Sequence, residues 1–501
     1  MKSLKYLLLP AVALLISCSA SDLQLDEEKS NERLPVGAAK PLSNDTFKKL
    51  SVEQQYQVAN KLAGTLYKGV TLEDFFDLSA GGDFKVGDGK NFLAKMRAEL
   101  KKPVQNKAVY SNVIELRHGL NETRKPTAIP LATIKELPIS RDLFEAWMAY
   151  TLANTILFSP AEEIDSADYI DVHRVYSGLI KAMSEGQSIR DIILAHMKSQ
   201  ANWRRFRSPE DNTREMIEIY LGLFDRDEDV PKASIACKNW YLADDSGNYE
   251  LIIDELNENV EPQYVLGQWV TSCTDFYEVV ANHPLVIPRM VTFLVDVFFP
   301  NLSGEKRSAL MMDIVATNPE TFSEIFLAII FSEEYLLRNE RAKNFEETFF
   351  NLAERVKWNN ERRFLDELTN PASNTPNLHK MKQPAMALKL GRFKDQPLDS
   401  LSFAYYHTAV RELLLVQADN RWGRWGSEFV DQGDYFGKDE FVSYLFMALI
   451  ARKPSSEELA KIKEIIVNTE NESNRSEQTR LVFDYISRLP ELYYYSAIEG
   501  E

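Results

Sequence analysis

From Leu143 to the C-terminus the apolar residues return every three or four positions, segment after segment, with few runs that alternate residue by residue. A period near 3.6 lays apolar side chains along one face of a helix, and such a face must be buried against another. The chain is therefore expected to be mainly α, a multi-helix assembly. Helix starts stand in the same stretch. Ser159-Pro160-Ala161-Glu162 and Ser208-Pro209-Glu210-Asp211 each offer a serine cap, a proline at the first helical position and an acid facing the positive helix end. Ser51-Val52-Glu53-Gln54 has the form of a capping box and opens an N-terminal helical region, with Thr71-Leu72-Glu73-Asp74 as a second start.

A loose repetition runs through the helical part. One unit extends from Leu143 and Trp147 to Ser199 and Trp203, a second from Arg289 to Ser332 and Tyr335, and a third from Phe441 to Ser487 and Tyr493. Each reads as an apolar helix, a capped turn, a second helix, and a third that ends in a serine followed by an aromatic residue. Such units would stack their apolar faces into a shared core. The expected divisions are residues 1–17 as a signal peptide, 18–45 as a flexible tether, 46–140 as the N-terminal helical region, 141–358 as a central helical domain, 359–400 as a polar linker and 401–501 as a C-terminal helical domain.

The N-terminus carries an address. Lys2 and Lys5 precede an apolar stretch from Tyr6 to Ile16, which ends in Leu15-Ile16-Ser17-Cys18. Charge, apolar run, small residue and cysteine in that order make a bacterial lipoprotein signal, with Cys18 as the lipidated, palmitate-bearing residue of the mature chain. The stretch is too short to span a bilayer as a retained helix, and the greasiest internal run, Val291–Phe299, contains Asp296. The expected membrane contact is the N-terminal lipid alone. Ser19 after the cysteine fits transport onward to the outer membrane, with the body periplasmic or surface-exposed. The net charge of −17 becomes more negative once Lys2 and Lys5 leave. So acidic a body repels nucleic acid and anionic headgroups, which excludes both as partners.

With Cys18 lipidated, Cys237 and Cys273 remain as an even pair in an exported protein. A disulfide is permitted, and two unconnected buried thiols are the alternative. No Cys-x-x-Cys-His occurs, so covalent haem is not expected, nor is any other cofactor. The six histidines are scattered, and no Gly-x-Ser-x-Gly elbow, phosphate-binding loop or dinucleotide fingerprint appears.

Two clusters stand out. Arg204, Arg205, Arg207 and Arg214, with Glu215 and Glu218, surround the Ser208 helix start and could clamp a carboxylate or phosphate. The competing reading is an ion-pair network that fastens helices, including an Arg214–Glu218 pair. Asp225, Asp227 and Asp229 alternate as a calcium loop would, yet Val230 and Ala236 stand where an EF-hand needs Gly and Glu. The competing reading is a helix start with Val230 as the cap before Pro231.

The run Asp211-Asn212-Thr213-Arg214-Glu215-Met216-Ile217-Glu218-Ile219-Tyr220-Leu221-Gly222, followed by Asp229-Val230, Trp240, His283-Pro284 and Ile329 to Tyr335, resembles the bacterial family catalogued as domain of unknown function eighteen-hundred. The resemblance covers residues 206–337. Ile219 replaces the family's Leu, and Leu223 to Asp229 replaces its Gly-rich turn. The repeated units are also similar to helical domains of cell-surface proteins that are often fused to cytochrome c modules. Both resemblances imply an exported helical protein, and neither implies a reaction. The function expected is that of an outer-membrane-anchored envelope lipoprotein, a binding or assembly component with an envelope protein partner. The alternatives are an exported hydrolase of envelope or extracellular polymer, with its site near Arg207–Glu218, or a surface partner of redox proteins.

Overall fold

Ser51 Oγ accepts from the Gln54 amide (3.2 Å) while Gln54 Oε1 accepts from the Ser51 amide (2.9 Å), so the first long helix opens with the capping box its residues spell. The computed structural model describes residues 37–78, 84–105, 129–157, 169–245, 248–357, 407, 438–468 and 475–498. Cys18 with its signal, the tether to residue 36, the Ser159-Pro160 start and the polar region 359–400 lie outside the described residues.

In chain order the helices are α1 (Asn44–Lys49), α2 (Val52–Thr65), α3 (Leu72–Phe75), α4 (Phe92–Lys101), α5 (Ile129–Glu136), α6 (Arg141–Ala153), α7 (Tyr169–Ser184), α8 (Ile189–Met197), α9 (Gln200–Arg205), α10 (Pro209–Leu221) and α11 (Val230–Ala236). They continue as α12 (Cys273–Asn282), α13 (Val286–Phe298), α14 (Gly304–Ala316), α15 (Phe322–Ile330), α16 (Phe345–Arg355), α17 (Lys438–Ile450), α18 (Ser456–Asn468) and α19 (Arg475–Ile486). Two antiparallel hairpins interrupt the helices, β3 (Trp240–Asp245) with β4 (Asn248–Ile253) and β5 (Gln263–Val265) with β6 (Gln268–Val270). Two-residue ribbons pair β1 (Phe76–Asp77) with β2 (Lys85–Val86), and β7 (Arg341–Ala342) with β8 (Tyr494–Tyr495). The protein is a mainly α multi-helix bundle, and among the described residues no helix is long and apolar enough to cross a membrane.

The chain gathers into two compact units. One is built on Thr151–Ile329, and its core includes Ile193, Trp203, Met216, Tyr220, Tyr277, Leu294, Leu310 and Phe326. The other combines Pro41–Tyr150 with the chain from Ile330 onward, around Tyr56, Leu62, Tyr67, Trp147, Tyr335, Phe350, Leu445 and Phe483. Each such side chain contributes roughly 1.5–3 kcal/mol on leaving water, which is what commits the apolar helix faces to these interiors. The second and third sequence repeats are each three helices, α13–α15 and α17–α19, followed by Ser332 or Ser487 and by the buried Tyr335 or Tyr493.

Candidate interaction surface

Helix α10 begins as its residues require. Ser208 Oγ accepts from the Asp211 amide (3.1 Å), Pro209 takes the first helical position, and Gly222 ends the helix at φ +70°, a conformation that suits glycine. Helix α11 follows with Asp229, not Val230, as its N-cap residue. The Asp229 side chain gives no cap bond; Oδ1 accepts from the Leu266 amide (3.3 Å) in the turn between β5 and β6. A carboxylate beside a helix start is favoured by the helix dipole, and here it also holds a hairpin.

At the far end of α11, Cys237 is bonded to Cys273, the first residue of α12. The bond spans a sequence separation of 36 residues and closes a segment that carries both hairpins. The base of this arm is apolar and well bonded. Trp240 packs on Trp203 (5.9 Å between ring centres) and edge-on against Tyr277 (5.7 Å), whose hydroxyl donates to Asn212 Oδ1 (2.7 Å).

Of the four arginines singled out in the sequence, two reach Tyr249 of the arm, one stacks on Phe206 and one joins ion pairs. Buried Arg204 donates from Nε to the Tyr249 carbonyl (2.9 Å), Arg207 lies over the Tyr249 ring (5.3 Å), and Arg205 lies over the Phe206 ring (6.0 Å). Arg214 pairs with Asp227 (2.8 Å) and Glu210 (3.7 Å); no ion pair with Glu218 forms. The short loop brings Asp227 to the guanidinium, and Glu210 lies one turn back on the same face. Burial raises the pKa of Glu215, and the neighbouring Glu218 and Asp211 raise it further.

The alternating aspartates of the sequence lie in the same place. Asp227 is committed to Arg214 and Asp229 to the Leu266 amide, so the two carboxylates are spent on different partners. Among the described residues no group of three metal-ligating side chains is assembled.

What the arm presents is apolar and acidic. Tyr264 and Trp269 face each other across β5 and β6 with ring centres 5.1 Å apart, and Trp269 is 70 % exposed. Leu256 is 97 % exposed and Val260 83 %. Leu256 does not lie on loose chain. Asp254 caps its turn, accepting from the Leu256 amide (3.0 Å) and from Asn257 Nδ2 (2.6 Å). Asn259, buried, donates from Nδ2 to the Glu261 and Thr271 carbonyls (2.6 and 3.0 Å), which pins Val260 beside β6. Between Lys238 and Arg289 there is no lysine or arginine, while Asp244, Asp245, Glu250, Asp254, Glu255, Glu258, Glu261, Asp275 and Glu278 are acidic. Helical periodicity concealed this surface. Its signal was available in Tyr241-Leu242-Ala243 and Tyr249 to Ile253 on either side of Ser246-Gly247, β-formers around a turn.

No family model, curated protein or solved structure matches this chain.

Proposed function

We propose that this protein is an exported envelope lipoprotein, held at the outer membrane by a lipid on Cys18, that acts as a non-enzymatic docking component for a cationic polypeptide. The observation that carries this reading is the disulfide-closed arm. It turns Leu256, Val260, Tyr264 and Trp269 outward on hydrogen-bonded backbone, within a stretch that has acids and no basic residue. Exposed apolar side chains of this kind mark recognition surfaces. The charge selects the partner's chemistry: anionic headgroups and nucleic acid are repelled, and a basic surface with apolar residues of its own is attracted. The resemblance of residues 206–337 to the family catalogued as domain of unknown function eighteen-hundred supports export and helical architecture in the same reading.

The test uses a synthetic amphipathic helix of lysine and leucine as the probe, titrated against the full chain while Trp fluorescence is followed. Saturable binding, weakened at least about tenfold by Trp269→Ser with Leu256→Ser, is expected, because such anchors dominate interfaces. Equal binding by that variant defeats the proposal, as does preferential binding of the chain to anionic vesicles through the arm. Processing and membrane association that survive Cys18→Ser would defeat the lipid anchor separately.

A further inference from the structure

The second unit forms an open pocket of about 280 Å³ whose lining includes Lys61, Lys343, Arg355, Arg452, Glu491 and Tyr495. Its cations arrive from three parts of the chain. Lys61 lies on α2, Lys343 between β7 and α16, and Arg355 is the last residue of α16. Each spends its described hydrogen bonds on neutral carbonyls. Lys61 Nζ donates to Asn339 O (2.6 Å), Lys343 Nζ to Glu491 O (2.9 Å) and Leu492 O (3.1 Å), and Arg355 Nη2 to Leu449 O (2.6 Å). Carbonyl dipoles solvate a cation without cancelling its charge.

Three other cations of this unit are neutralised by carboxylates. Arg341 forks onto Glu347, Lys68 meets Glu354 (2.7 Å), and Arg452 is held by Glu458 and Glu491 (2.8 Å each). Lys61, Lys343 and Arg355 have no carboxylate at ion-pair distance among the described residues. Burying charge without a counter-ion at contact distance is costly, so three such cations lining one pocket suit it to an anion.

Donors are also left over. Arg355 is buried, and its Nε and Nη1 meet no acceptor with good hydrogen-bond geometry among the described residues; the neighbouring Tyr56 hydroxyl, which donates to Val70 O (2.7 Å), adds a weak interaction with the guanidinium. Tyr495 Oη is likewise buried and unpartnered, since the nearby Thr65 hydroxyl is bonded to Lys61 O (2.8 Å) and Tyr335 Oη (2.7 Å). The Tyr495 ring is the floor on which the cations gather, with Lys343 Nζ 4.9 Å and Lys61 Nζ 5.9 Å from its centre. Unspent guanidinium N–H groups beside two ammonium groups are the equipment of an oxyanion site.

We infer that this cavity binds a small organic oxyanion, a phosphate monoester or a dicarboxylate, gripped by Lys61, Lys343 and the two unused donors of Arg355, with its body against Tyr495, Ile450 and Ala451. The volume sets the size. It equals the liquid share of roughly nine water molecules, below the range typical of drug-sized ligands, so the part held inside is no larger than a small metabolite. Burial lowers the Lys61 pKa to about 7, helped by Arg341, and burial with Arg355 lowers that of Lys343 to about 7. A bound anion favours the charged form of both lysines.

The test is calorimetric titration of the full chain with glycerol 3-phosphate, succinate and sulfate in turn. At least one is expected to bind saturably, with Kd near or below about 1 mM. Lys343→Gln and Arg355→Met are each expected to weaken binding at least about tenfold, and Arg355→Lys to restore part of it. Sulfate keeps its charge across the working range, so its affinity should fall as pH rises from about 6.5 to 8.5 and the lysines lose protons. The stronger of the other two probes identifies the ligand as phosphate ester or dicarboxylate. Absence of saturable binding for all three up to about 50 mM overturns the inference. So does binding that Lys343→Gln leaves unchanged; this position is partly exposed and carries the test should Arg355→Met fail to fold. Failure here leaves the docking arm untouched, since the two readings share no residue.

Discussion

Arg204 Nε donates to the Tyr249 carbonyl across 2.9 Å, which ties the helix before Ser208 to the first hairpin of the arm. A charged donor on a buried carbonyl contributes about 1.5–3 kcal/mol. Arg204→Met, which keeps much of the buried stem, should loosen the hairpin while the helices persist. Hydrogen exchange of residues 240–253 is expected to accelerate at least about tenfold. Unchanged exchange there would show that the other contacts, among them Trp203 on Trp240 and Arg207 over Tyr249, hold the hairpin without it.

The Cys237–Cys273 bond closes a loop of 36 residues, and the loop-entropy argument assigns such a closure about 4 kcal/mol. Replacing both cysteines by alanine should lower the unfolding free energy by about 2–4 kcal/mol in denaturant titration. The lysine–leucine probe should bind the variant more weakly, because the arm then pays its ordering entropy on binding.

Gly64 stands where a Cβ would approach Tyr495 Oη to 2.5 Å and Asn351 Nδ2 to 3.2 Å. The requirement is for space and not for backbone freedom. Gly64→Ala should destabilise the protein by about 1–3 kcal/mol, as overpacking does. Tyr495→Phe in the same chain should recover most of the loss in thermal melts, because it removes the clashing oxygen.

Lys61 is buried with its pKa lowered to about 7. In the unfolded chain it titrates near 10.4. Between those values the unfolded state binds the extra proton, so this residue's contribution to stability rises with pH from about 7 to 10.4. Below about 7 the full cost of burying the charge is present. Lys61→Met should therefore stabilise the ligand-free protein by about 1–4 kcal/mol near pH 6. The gain should shrink toward zero as pH approaches 10, a trend that melts across the range would read directly.

The local grammar was legible. Ser51 with Gln54 forms its capping box, Ser208 and Pro209 start their helix, and the apolar faces near Trp203 and Tyr335 are interior, because capping and periodicity act over one turn of chain. Legibility faded where a residue had a choice of partners. Arg214 had Glu218 one turn away and took Asp227 in the following loop, and Asp229 displaced Val230 as the cap while binding the second hairpin. Both outcomes depend on where a loop folds back, and spacing along the chain does not contain that.

The residues by themselves determined a mainly α protein with capped helices and a net acidic charge. Tertiary structure decided the rest. It turned Leu256, Val260, Tyr264 and Trp269 outward, and it brought Lys61, Lys343 and Arg355 to one cavity although nearly three hundred residues separate the first from the others. The physical reason is range. Helix formation and capping are settled within a few residues, whereas exposure and uncompensated charge exist only after distant segments have packed and other cations have taken the available carboxylates.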